Sequence, residues 1–139
     1  MKKSKNIVGI YIISKICDLD EFIQKKYTEK FGEEEGKGKY STAKSFYTLF
    51  LRAKINTETT KLGKDLERKE IDRRENHWEY LCNLLKEHFG EEESQEVKKA
   101  FSDMAEREVQ QHILFETKNP FRKMQTTKVL QKEIEENTL

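Results

Sequence analysis

Arg107 and His112 are the residues of this chain best suited to chemistry. An arginine can grip a phosphate through two parallel hydrogen bonds, and a histidine titrates near neutral pH. Together they describe RNA cleavage without a metal. Arg107 would hold the scissile phosphate while His112 moves a proton to or from a ribose oxygen. Five positions along a helix is about 140° of rotation, so the two converge only in a groove between helices. A second constellation is Arg73-Arg74-Glu75-Asn76-His77-Trp78. Arg73 and Arg74 precede His77 by four and three residues, so all three share a helix face that could meet phosphates, with Trp78 able to stack on a base. Lys37, Lys39, Lys44, Arg52 and Lys54 extend the candidate nucleic-acid contacts.

The hexapeptide Arg107-Glu108-Val109-Gln110-Gln111-His112 resembles the R-x4-H motif of the HEPN ribonucleases. The resemblance implies a helical domain, a composite site built across a dimer, and metal-independent cleavage by Arg107 and His112. Glu108 departs from the Asn, Asp or His that the family usually places after the arginine, and a carboxylate there repels phosphate. The likeness covers that hexapeptide alone.

Other chemistry finds little support. No H-E-x-x-H or E-x-x-H motif occurs, so no residue is assigned to a metal. Gly32, Gly36 and Gly38 do not follow a strand, and no Gly-Lys-Ser/Thr completes a phosphate loop. Paired carboxylates alternate with Lys and Arg, the pattern of solvated faces with ordinary pKa values. No cofactor is implied. Cys17 and Cys82 sit in apolar helical settings without a CxxC pair and read as buried, reduced thiols.

The elements that must position these residues are helices. Charged residues make up 38% of the chain against 35% hydrophobic, so the expected form is a thin bundle whose faces meet a partner. A net charge of +1 excludes a protein driven onto nucleic acid by its overall field. Residues 1–60 carry twelve Lys or Arg against eight Asp or Glu, which leaves room for a local basic patch. Amphipathic periodicity predicts helices over 6–31, 42–54, 65–89, 95–116 and 127–137. A short strand at 7–13 is the alternative for the N-terminal run. Gly32 to Lys39 predicts a flexible loop near 32–40, with Ser41-Thr42 capping the next helix. Thr57–Gly63 predicts a loop or kink, Gly90 a helix C-cap, Ser94 an N-cap, and Asn119-Pro120 a stop. No internal repeat is expected. The apolar run at 7–13 follows lysines like a secretory signal, but Lys15 and Asp18 close it without a cleavage site. It is also too short to span a membrane, and a cytoplasmic protein is expected.

The chain therefore reads as all-α: one helical domain over 1–139, a small bundle of four or five amphipathic helices, the last loosely docked. The expected function is non-catalytic binding of a macromolecule, as an adaptor, inhibitor or accessory subunit. Phe46, Tyr47, Phe50, Trp78 and Phe121 are the candidate protein-binding anchors, because aromatics dominate interface hot spots. The expected partner is another protein or a second copy in a homo-oligomer. Nucleic-acid binding through the Lys/Arg patch and the ribonuclease are the alternatives.

Overall fold

A computed structural model describes residues 2–115. They form three helices: α1 (Lys2–Phe31), α2 (Glu33–Thr59) and α3 (Lys64–Phe115). The all-α expectation holds, but the count of four or five helices is corrected to three, and no strand occurs among the described residues. The run at 7–13 is helical because its apolar residues pack at helical spacing: Val8 and Ile12 are buried against Leu114. The expected helix at 127–137, and Phe121, lie outside the described residues.

The breaks are far tighter than the composition suggests. Residues 33–40 are helical, and the expected loop near 32–40 shrinks to Gly32 alone. Gly32 has φ 84° and ψ 175°, a conformation essentially reserved for glycine. Its N–H donates to the Thr28 carbonyl at 2.9 Å, and its own carbonyl accepts from Gly36 at 2.9 Å, so one residue closes α1 and opens α2. Glu33, Glu34 and Glu35 fill the first turn of α2, where carboxylates stabilise the positive end of the helix dipole. Ser41 and Thr42 are therefore not caps. Thr42 donates back to the Gly38 carbonyl inside the helix.

Gly90 repeats this geometry with φ 83° and ψ −179°. Helical structure resumes at Glu91, so α3 has two arms, 64–89 and 91–115, that meet at a non-helical Gly90, where the sequence predicted a helix C-cap and a second helix. Arg74 and Trp78 of the first arm share a cleft with Ser102 and Glu106 of the second, so the chain turns back at Gly90. Ser94 is buried and donates to the Glu91 carbonyl, within the helix and not at its cap.

The same pentapeptide, Phe-Gly-Glu-Glu-Glu, spans both corners, at 31–35 and 89–93. Burial repeats around it in the same register. Ile23 matches Leu81, Tyr27 matches Leu85, Ala43 matches Phe101 and Tyr47 matches Ala105, all buried. The absence of a repeat expected above is therefore corrected: the core is two helical hairpins of matching pattern, joined through 60–63. Their inner faces form one apolar cluster running from Ile23 and Tyr27 through Phe50, Leu85 and Phe89 to Phe101 and Met104.

Candidate interaction surfaces

Arg107 and His112 lie on the second arm of α3. The Arg107 guanidinium sits 5.7 Å from the centre of the Tyr11 ring. It lines an open cleft of about 540 Å³ with Lys15, Asp18, Asp103, Glu106 and Gln110. Three carboxylates in that lining suit a cation better than a phosphate. His112 is half-buried. Glu108 accepts a hydrogen bond from the buried Tyr47 hydroxyl, which ties the carboxylate to α2. Burial and the nearby Glu108 charge push the Tyr47 hydroxyl far above its ordinary value, so it stays a neutral donor.

The candidate phosphate contacts separate into two groups. Lys54, Arg73 and Arg74, on the C-terminal half of α2 and the first arm of α3, are held by carboxylates. Lys54 is buried, with its Nζ 2.6 Å from both Glu58 and Glu106. Arg74 pairs with Glu58 at 3.2 Å and donates to the Thr57 hydroxyl, while Arg73 pairs with Glu70 at 2.6 Å. His77 is half-buried on the same arm, and its Nδ1 is buried with no hydrogen-bond partner. Arg52 is exposed and lies apart from the α2 cleft.

The N-terminal half of α2 differs in its cleft and not in its pairing, since Lys39 lies 3.9 Å from Glu35 and Lys44 also has a carboxylate partner. Lys37 and Lys44 share a cleft of about 320 Å³ with Gln24, Tyr40, Ser41, Ser45 and Thr48, a lining without a carboxylate. Lys39 lies over the Phe31 ring at 5.0 Å. Lys44 also reaches Asp20 at 3.0 Å, and Tyr40 donates to the same carboxylate oxygen. Burial alone would raise the Asp20 carboxyl. The hydrogen bonds from Tyr40, Lys44 and Gln24 outweigh it and hold Asp20 below the ordinary value of 3.8.

The aromatic anchors divide in the same way. Tyr47 and Phe50 are core residues, and Trp78 packs on Phe50 with ring centres 4.7 Å apart. Among the described anchors the partly buried Phe46 lines an open groove, as Trp78 lines the cleft with Arg74 and Glu106. Phe46 faces Tyr80 at 6.4 Å across its groove of about 410 Å³, lined also by Asn83, Leu84 and Glu87. Leu49 and Tyr80 are exposed beside it, at 43% and 55%. Sequence reasoning did not single out Leu49 and Tyr80 as surface residues, whereas Leu84, on the expected apolar stripe, does pack against the core.

No protein-family model, curated protein or solved structure matches this chain. Function rests on the surfaces alone. Among the described residues no group of three or more His, Cys, Asp or Glu side chains could hold a metal ion. No helix among them is long and apolar enough to cross a membrane. Cys82 is half-buried and burial raises its thiol, whereas Cys17 is exposed, which corrects the expectation of two buried thiols.

Proposed function

We propose that this chain is a non-catalytic, protein-binding helical adaptor or accessory subunit, and that a partner docks in the groove between α2 and the first arm of α3. The observation that carries this reading is an open groove in which the exposed Tyr80, with Leu49 exposed nearby, adjoins the partly buried Phe46 and Leu84. Rings and aliphatic side chains clustered in an open groove form the desolvated centre that protein interfaces need. The flanking Asn83 and Glu87 supply a polar rim. The test is affinity capture from cells with the wild-type chain and with Tyr80→Glu, followed by mass spectrometry. A protein retained by the wild type and lost with Tyr80→Glu supports the groove. Equal retention by both, or none by either, overturns it.

A second reading is supported by the cleft at Lys37 and Lys44. Two lysines beside the hydroxyls of Tyr40, Ser41, Ser45 and Thr48 suit the oxygens of a nucleic-acid backbone. It predicts binding that falls steeply with salt and weakens in Lys37→Ala and Lys44→Ala. Salt-insensitive binding, or none, removes it.

A further inference from the structure

The outer face of α1 carries a surface that neither reading uses. Residues 7, 10, 14, 17 and 21 are all exposed and follow one another at the three- and four-residue spacing of a coiled-coil seam. The opposite face is committed to α3, with Val8 and Ile12 buried against Leu114, and Gly9 seated under the Phe115 ring. On the outer face Ile7, Ile10 and the flanking Ile13 remain 53%, 68% and 48% exposed. Three neighbouring isoleucines in water are a patch and not scattered surface residues.

We propose that a second copy of this chain covers this face, with the two α1 helices antiparallel. Charge selects the occupant and its direction. The start of α1 is basic, with lysines at 2, 3 and 5, and position 3 shares the seam by register. The far end of the seam carries the exposed Glu21, while Asp18 lies off the seam in the cleft with Arg107. Setting Ile7 of one copy opposite Cys17 of the other also sets Ile10 opposite Ser14 and position 3 opposite Glu21. Two-fold symmetry makes every contact twice. Each layer then pairs a large residue with a small one, and each end pairs opposite charges. A parallel arrangement places lysines against lysines and carboxylates against carboxylates, which charge disfavours. The competing occupant is residues 116–139 of the same chain, which follow Phe115.

The proposal shares no residue with the α2–α3 groove and stands or falls apart from it. The test is sedimentation equilibrium on the full chain. A dimer is expected, lost in Ile10→Glu with helicity unchanged and kept in Tyr80→Glu. Glu21→Lys weakens association by roughly tenfold, and adding Lys3→Glu restores it. Oxidation of Ile7→Cys in a Cys82→Ser background gives a disulfide-linked dimer through Cys17. A monomeric full chain overturns the proposal, as does a dimer indifferent to Ile10→Glu. A monomer in which an Ile10→Cys thiol resists alkylation also overturns it, and gives the face to residues 116–139.

Discussion

Gly32 and Gly90 hold the same backbone conformation, φ 84° and 83°, at the corners of two hairpins with matching buried positions. Both glycines have open space where a Cβ would stand, so any penalty on substitution is conformational and not steric. Gly32→Ala and Gly90→Ala are each expected to lower stability by about 1–3 kcal/mol. Chemical denaturation midpoints measure this. Two unaffected midpoints would show that these corners are not fixed at positive φ.

Gly36 and Gly38 should respond with opposite sign. A Cβ on Gly36 would lie 2.6 Å from the Tyr27 carbonyl oxygen, and backbone cannot swing aside. Gly36→Ala is expected to destabilise by about 1–3 kcal/mol as α1 and α2 are forced apart. Gly38 meets nothing within 4 Å, so Gly38→Ala should stabilise α2 by about 0.5–1 kcal/mol. Thermal melting of the two variants against the wild type separates packing from helix propensity.

His88 makes stability depend on pH. Its Nδ1 lies 2.7 Å from the Tyr27 hydroxyl, an arrangement in which a neutral imidazole accepts. Burial first, then the Lys39 charge, lowers its pKa from the ordinary 6.5. The unfolded chain therefore takes up the proton first as pH falls. Stability is full above the ordinary histidine value and declines as pH drops through it, until the folded value is passed. Urea midpoints between about pH 8 and about pH 5 read the slope. His88→Phe should be flatter than the wild type in that window, whatever its absolute stability. Identical slopes would rule out this linkage.

The Lys54 ion pairs should be asymmetric. Lys54→Met removes a buried charge and leaves Glu106 largely in water and Glu58 paired with Arg74. Its effect is expected to be neutral or stabilising. The double variant Glu58→Ala/Glu106→Ala strands the ammonium and should cost about 3–5 kcal/mol. Equal losses from both changes would mean that the pairs, and not the desolvation, set the balance.

Helical character was legible wherever apolar residues recur at three and four, as from Leu81 to Phe89 and from Val97 to Val109. Of the corners, Gly90 was legible as a helix end, and Gly32 was not legible as a one-residue corner. Three glycines between charges look like a loop, yet only Gly32 needs positive φ; Gly36 is there for close approach to Tyr27, and Gly38 for neither reason. The site was partly legible. Phe46, Lys37 and Lys44 reach surfaces, but Tyr47, Phe50 and Lys54 are buried, because type and period cannot say which helix covers which stripe. The partners of Arg73, Arg74 and Glu108 come from sequence-distant or neighbouring helical positions that a linear motif does not weigh.

The single-residue corners also shape how the chain reaches its fold. Each hairpin closes with almost no connecting segment to order, so its early contacts are among the cheapest in loop entropy. Zipping from Gly32 and from Gly90 can proceed in parallel. What remains is the meeting of two half-built cores across residues 60–63, and that docking, not helix formation, is where the rate of folding should be decided.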